Sequence, residues 1–247
     1  MSDQHDNLPP AFRDHLSPED IGLNSTLQSF ENIRSQLRIL ERERGTIDTV
    51  LDVGCNRGGF AVSLADHLGA ETVYGIDTDP EMREHASTRG VETFDVDVES
   101  GSFPLEDNSV DLVLTFGLLE HLRYYDNLFQ ETDRVLDEGW FWVATPNLAS
   151  WLNRIALVTG YQPRNVELSG QRAVGSLPVY DKGSFLNHVH APTYRGLLEL
   201  LEFYGFEPVE VAGLTPYQRG RLVKLLDTVF SLRVGLSRRL SVLSRQR

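Results

Sequence analysis

The stretch TVLDVGCNRGGF, residues 49–60, reads as a strand, a glycine-rich turn and the start of a helix. Val50 to Val53 are an apolar run of strand length, and Gly54, Asn56, Gly58 and Gly59 supply the turn. Glycine tolerates positive φ and Asn tolerates it better than most residues, so this backbone can bend sharply and approach a ligand closely. Phe60, Leu64 and Leu68 then recur at helical spacing, and Gly69 can end that helix.

The rhythm continues downstream. TVYGID is a second strand ending at Asp77, and Asp79-Pro80-Glu81 starts a helix that Gly90 closes. VETFDVDV and SVDLVLTF are third and fourth strands, a helix covers about Tyr125 to Leu136, and WFWVAT is a fifth strand. Strands alternating with helices at short spacing predict βαβ units, hence an α/β fold with a doubly wound parallel sheet. The rhythm fails from Pro146 to His190, where Gly, Pro, Asn and Arg abound and only Ser150 to Val158 reads as helix. Pro192 to Tyr204 predicts a helix with an apolar face of Leu197, Leu198, Leu201 and Phe203. FEPVEVAGL follows as a strand and RRLSVLSRQ as a last short one. Upstream, residues 1–16 read as frayed, Ser17-Pro18-Glu19 as a helix start, and Ser25 to Glu43 as a helix with Leu27, Phe30, Ile33, Leu37 and Leu40 on one face.

The chain of 247 residues is 40% hydrophobic and 24% charged, which excludes collagen-like, coiled-coil and wholly disordered classes. A single cysteine, Cys55, excludes a disulfide framework and a Cys-rich zinc module. No secretory signal is read at the start, and the longest uncharged stretch, Gly139 to Asn153, is too short to span a bilayer. A soluble, cytoplasmic protein is expected, with the inner membrane surface as an alternative seat. Residues 1–216 carry 35 acidic and 15 basic side chains, whereas 217–247 carry one acidic and eight basic. The acidic, lysine-poor body suits concentrated salt and repels a phosphate backbone, so nucleic acid is not an expected partner. Gly220 to Arg233 is a basic amphipathic stretch with Leu222, Leu225, Leu226, Val229 and Leu232 facing one way. Two readings stand: a helix docked on the sheet, or peripheral contact with an anionic membrane.

The ligand is narrowed by charge. Asp77 can accept both hydroxyls of a ribose. Asp52, two residues before the first glycine, would discourage a pyrophosphate and welcome an ammonium group. Ribose, adenine and an α-amino group together describe S-adenosylmethionine.

With these motifs the chain resembles the class I S-adenosylmethionine-dependent methyltransferases, in their small-molecule, type 11/12-like branch. The first family motif is matched by Leu51, Asp52, Gly54 and Gly58, with Asn56 where the middle glycine stands. By resemblance Asp77 holds the ribose, Thr78 and Met82 flank the adenine, and Asp97 beside Val98 takes the adenine amino group, Asp95 being a poorer fit. Phe103 to Leu122, with Phe116 at the end of the fourth strand, matches the family's pocket-floor segment. The resemblance implies a Rossmann-like seven-stranded sheet whose last strand is antiparallel. It divides the chain into an N-terminal helical cap (1–44), a cofactor-binding core (45–145), a substrate lid (146–190) and a C-terminal part of the core (191–247).

Methyl transfer asks mainly for alignment, and a base only where the acceptor must lose a proton. His121 and His188 are the candidate bases. His188 and His190 would need a third ligand to hold a metal, and none has convincing spacing, so no metal is expected. Trp140, Phe141 and Trp142 read as core; Trp151, Tyr161 and Tyr180 could line an acceptor pocket or pack the lid. The expected acceptor is small or linked to lipid or glycan, methylated at oxygen; the oligomeric state stays open. The alternatives are a non-catalytic, cofactor-binding or membrane-tethered protein and an NAD(P)-dependent oxidoreductase. The latter wants Tyr-x-x-x-Lys, yet Pro178 and Gly220 stand four residues before the two lysines, Lys182 and Lys224.

Overall fold

The computed structural model describes residues 9–16, 20, 30–180, 186–214 and 221–247. The elements run α1 (Pro10–His15), α2 (Phe30–Arg42), β1 (Thr49–Val53), α3 (Gly59–Leu68), β2 (Thr72–Ile76), α4 (Pro80–Thr88), β3 (Glu92–Phe94) and β4 (Val110–Phe116). A 3₁₀ turn (Leu119–His121) follows, then α5 (Asp126–Val135), β5 (Leu136–Pro146), α6 (Trp151–Val158), α7 (Tyr194–Phe203), β6 (Phe206–Leu214), α8 (Arg221–Phe230) and β7 (Arg239–Gln246). The predicted helix start at Ser17-Pro18-Glu19 and the turn of α2 around Leu27 lie outside the described residues.

The seven strands form one sheet in the order β3-β2-β1-β4-β5-β7-β6. Pairs from β3 through β5 are parallel, and β7 is antiparallel to both β5 and β6. The sheet is the doubly wound one the alternation predicts, with the reversed last strand. Strand order reverses between β1 and β4, which opens a crevice at the carboxyl ends of those strands, where open α/β sheets bind ligands.

Both faces of the central strands are buried, as parallel strands require. Val50, Leu112, Leu114, Trp142 and Ala144 point to one core with α1, α2 and α3. Leu51, Val53, Val113, Phe141 and Val143 point to the other, against α5 and α7. Ile33, Leu37 and Leu40 are buried as their spacing predicts, and Gln36 on the same helix is buried too. Its amide donates to the Glu210 carbonyl at 3.1 Å and accepts from Ser241 Oγ at 2.7 Å and Trp142 Nε1 at 3.2 Å. A buried amide satisfied on both sides costs the fold little and pins α2 to β5, β6 and β7.

Three expectations need correction. Residues 10–15 are not frayed but helical. Proline at the first helical position favours the turn, and Phe12 is fully buried, with its ring 5.7 Å from that of Phe60. Six residues are too few for periodicity to reveal. On α7, Phe203 is not on the buried face but 77% exposed; Leu197 and Leu201 carry the packing. On α8 the predicted apolar side is largely not the buried one, and the side chain of Leu222 lies outside the described residues. Val223, Leu226 and Phe230 pack on Trp151 and Leu152, whereas Leu225 and Val229, with Leu232 just beyond the helix, are exposed. Phe12→Ala should lower the unfolding free energy by about 3–5 kcal/mol, the usual cost of emptying a buried phenylalanine site. Urea denaturation followed by circular dichroism checks it; a loss under 1 kcal/mol would mean the N-terminal helix does not hold the core.

Candidate active site

The turn after β1 is built as its residues demand. Gly54, Asn56 and Gly58 have φ of 80°, 49° and 72°. A Cβ on Gly58 would lie 2.9 Å from Val91 Cγ2, and one on Gly54 would lie 3.3 Å from Leu118. The first contact, with Ala86 of α4 at 3.1 Å beside it, seats the turn on α4 and the link that follows, and the second brings it against the segment after β4. Gly54 and Cys55 donate their amides to the Ile76 carbonyl at 2.7 and 3.0 Å, so the turn is tied to the end of β2.

Asp77 stands where β2 ends, half-buried. Its Oδ2 accepts the Asn56 amide and its Oδ1 the Asp79 amide, each at 2.9 Å. A carboxylate has about four acceptor sites, so two remain for a diol. Asp52 is 6% exposed, and its side chain has no hydrogen bond or ion pair among the described residues. Burial, and next the charge of Asp77, push its pKa up to about 7. A buried carboxylate without a cation is costly and calls for one.

The adenine side is framed by β3 and the turn after it. Asp97 is exposed; its oxygens accept the Glu99 amide at 3.0 Å and the Ser100 hydroxyl at 2.9 Å, which shapes the turn, and Val98 is buried beside it. Asp95 is engaged by Arg83 at 3.0 Å, and the same guanidinium donates to the Asp77 carbonyl at 2.8 Å. Arg83 thus braces the ends of β2 and β3, a role that no motif announces. Thr78 is exposed and Met82 half-buried on the first turns after β2. Glu99 accepts the amides of Arg123 and Tyr124 at 2.7 and 3.0 Å, linking the adenine turn to the segment after β4.

Phe116 ends β4 half-buried, its ring edge-on to Trp142 at 5.2 Å and 4.8 Å from Phe60. Beyond it the 3₁₀ turn carries two side chains to the carboxyl edge. His121 is exposed, and its Nδ1 lies 3.0 Å from the carbonyl of Asn187. Only a protonated Nδ1 can donate there, which leaves Nε2 as the basic nitrogen. Asn187 has φ of 58°, a left-handed conformation that asparagine accepts and that presents its carbonyl to the ring. The Val189 amide donates to the Glu120 carbonyl at 2.8 Å, so the end of the lid is stapled beside this turn.

The two candidate histidines differ in kind. His188 is buried, its ring 5.1 Å from that of His121. Burial first, then the charges of His121, Arg239 and Arg164, lower its pKa to about 3, so it stays neutral and is a weak proton acceptor. His190 stacks on Tyr125 at 5.1 Å and bonds the Arg123 carbonyl at 3.1 Å, a structural role. Cys55 is buried and its thiol pKa is raised by burial, which leaves it inert.

Glu120 is the residue that sequence reasoning missed. It is 2% exposed, with Thr145 Oγ1 at 3.4 Å, Arg239 at 3.6 Å and His188 Nε2 at 3.9 Å. The fold therefore supplies the third ligand that spacing alone did not offer: ligand atoms of Glu120, His121 and His188 all lie within 4.8 Å of one another. A cation there would face the Arg239 guanidinium already beside the carboxylate. The Asn165 amide nitrogen also sits 3.5 Å from His188 Nδ1, which favours the proton on Nε2 and spoils that nitrogen as a ligand. In this arrangement Arg239 already stands beside the Glu120 carboxylate and balances its charge.

Residues 51–143 match the family described as "Methyltransferase domain". Residues 51–143 thus resemble a methyltransferase domain. A probable S-adenosylmethionine-dependent methyltransferase of Mycolicibacterium smegmatis is 38% identical over 102 residues, which are 40% of this chain and 38% of that protein. The chain thus matches well under half the length of that relative. A putative S-adenosylmethionine-dependent methyltransferase from Listeria monocytogenes superposes with a TM-score of 0.59 at 18% identity, covering 88% of this chain and 97% of that one. The geranyl diphosphate C-methyltransferase of Streptomyces coelicolor A3(2), solved with Mg2+, geranyl diphosphate and S-adenosyl-L-homocysteine, superposes at 0.56 and 17% identity over 87% of this chain and 77% of its own. Both likenesses are likenesses of fold.

The cofactor named for these relatives is S-adenosylmethionine, and the residues present in this chain fit it. The unpartnered Asp52 carboxylate suits its ammonium group, the spare acceptor sites of Asp77 suit its ribose hydroxyls, and the positive-φ turn between them leaves the backbone bare.

Proposed function

We propose that the whole chain transfers a methyl group from S-adenosylmethionine to an oxygen of a small acceptor or one linked to a lipid or glycan. The observation that carries this reading is the tautomer of His121. Its Nδ1 is committed to the Asn187 carbonyl, so Nε2 is free to take a proton at the carboxyl edge of β4, where the cofactor turn and the lid meet. When bound, the cofactor supplies an electrophilic methyl on a sulfonium. The chain's own residues do the rest. Asp52 balances the ammonium charge, Asp77 orients the ribose, Asp97 serves the adenine amino group, and His121 Nε2 removes the hydroxyl proton of the acceptor. Glu120 and Arg239 behind His188 keep the floor of the acceptor site polar and nearly charge-balanced.

The test uses methyl-labelled cofactor with acceptors bearing free hydroxyls, among them saccharides and lipid-linked saccharides. Once a methylated acceptor is in hand, His121→Ala should lower kcat by about 10²–10⁴-fold, the usual share of a positioned base, and leave cofactor affinity within about threefold. His188→Asn should cost far less. A His121→Ala enzyme of unchanged kcat would exclude this residue as the base. Cofactor binding without turnover on any acceptor would favour the non-catalytic alternative.

A further inference from the structure

We propose that the outer faces of α6 and α8 form a docking surface that seats the lid side of the chain on an anionic lipid membrane. Among the described residues, 13 large apolar side chains are exposed, and nine of them lie within 151–180 or 221–232. Val158 is 88% exposed and Leu232 84%, with Leu157, Leu168, Leu225 and Val229 more than half exposed. Single exposed apolar residues need no explanation, but a concentration of them in two segments does.

The two helices present these residues together. Trp151 of α6 stacks on Phe230 of α8 at 5.1 Å, and its Nε1 donates to Asp227 at 2.8 Å. That contact consumes the inner side of each helix. What remains outward on α8 is Leu225 and Val229 at i, i+4, continued by Leu232 at i+7. On α6, Ile155, Leu157 and Val158 are exposed, whereas Trp151, Leu152 and Ala156 are buried. Nothing in the fold covers this surface among the described residues.

Charge identifies the occupant. Segments 147–180 and 217–237 together hold seven basic and two acidic residues, against 16 basic and 34 acidic in the rest of the chain. One of those two acids, Asp227, is 3% exposed and paired inside with Arg238 at 3.3 Å, whereas Arg154, Arg172 and Arg233 are exposed. Exposed leucines and valines amid arginines, on a body of opposite sign, match an anionic lipid interface: the apolar side chains enter the headgroup boundary and the cations meet phosphates. The body is repelled, so the chain settles lid side down. No helix among the described residues is long and apolar enough to cross a membrane, which makes the contact peripheral. The surface also lies close to the site through contacts already made. Asn153 of α6 bonds Asn165 at 3.0 Å, and Asn165 faces His188.

The experiment is vesicle flotation of the full chain, with phosphatidylcholine alone and with about a third phosphatidylglycerol, at low salt. The chain should float with the anionic vesicles and stay behind with the neutral ones. The double variant Leu225→Asp, Leu232→Asp should partition at least about tenfold more weakly, and Val158→Asp should weaken it in the same direction. Both variants should keep the parent's melting temperature and cofactor affinity, since all three positions are exposed and outside the cofactor turn. Three results would overturn the proposal: no flotation with anionic vesicles, flotation unchanged in the double variant, or a dimer in sedimentation that the double variant dissociates without any lipid binding. The last would give the face to a second copy of the chain. None of these outcomes depends on the acceptor or on His121.

Discussion

Asp77→Ala should remove S-adenosylmethionine binding from calorimetric detection while the protein stays folded. The carboxylate has two tasks. It accepts the amides of Asn56 and Asp79, which fixes the cofactor turn relative to α4, and it has acceptor sites left for the ribose diol. Charge-assisted hydrogen bonds are worth about 1.5–3 kcal/mol each. Two bonds to a ribose therefore predict a loss of roughly 10²–10⁴ in affinity. The freed backbone amides are at exposed positions and can turn to water, so the melting temperature should move little. Asp77→Asn keeps one acceptor oxygen, which can hold one of the two backbone amides or a ribose hydroxyl, but the charge is gone, and affinity should fall between parent and Ala. Titration with the cofactor and with its demethylated product measures all three. An Ala variant that binds as the parent does would remove the ribose from Asp77 and, with it, the placement of the cofactor.

What the sequence made legible follows the range of the interactions involved. The turn from Leu51 to Gly59, Asp77 at the end of its strand and the seven-strand topology rest on local chemistry: glycines where φ is positive, an acid at a strand end, apolar runs of strand length. These appear within a few residues of one another, and the structure returns them nearly unchanged. Glu120 was invisible because its partners, Thr145, His188 and Arg239, are brought to it by three separate crossovers of the chain. The tautomer of His121 depends on the carbonyl of Asn187, 66 residues away, and on a lid whose sequence has no period. The face of α8 was misread for a different reason. Periodicity says that a helix has an apolar side, but it does not say how much of that side a neighbour covers. Here Trp151 and Leu152 take only the Val223, Leu226 and Phe230 edge. Phe12 shows the lower limit: one turn and a half of helix has no period to detect, yet it is fully buried.

Asp52→Asn should stabilise the cofactor-free protein at pH 8 and weaken cofactor binding; toward acid pH the stabilisation should reverse and the difference in binding should vanish. The pKa of Asp52 rises from 3.8 to about 7, through burial first and the neighbouring Asp77 charge second. A carboxyl whose folded value lies above its unfolded value holds its proton better in the native state. Between about pH 4 and pH 7 the native chain thus binds more protons than the unfolded one, and unfolding free energy falls as pH rises across that window. Integrated over it, the cost is roughly 4 kcal/mol above pH 7. The asparagine amide removes this charge but leaves a buried polar group short of partners, worth about 1–3 kcal/mol, so the net gain at pH 8 should be about 1–3 kcal/mol. The parent's stability should decline from pH 4 to pH 7 more steeply than the variant's. Binding runs the other way. An ammonium group seeks the ionised carboxylate, so the parent's affinity should rise by up to about tenfold per pH unit below 7 and level off above it, while the variant's should be weak and nearly flat. Melting curves and cofactor titrations from pH 5 to pH 8.5 contain both tests, and they separate two roles for the same carboxylate. A charge kept in place to meet a cation makes the empty protein less stable than its neutral variant, whereas a carboxylate that merely packs the turn would give parent and variant the same dependence on pH.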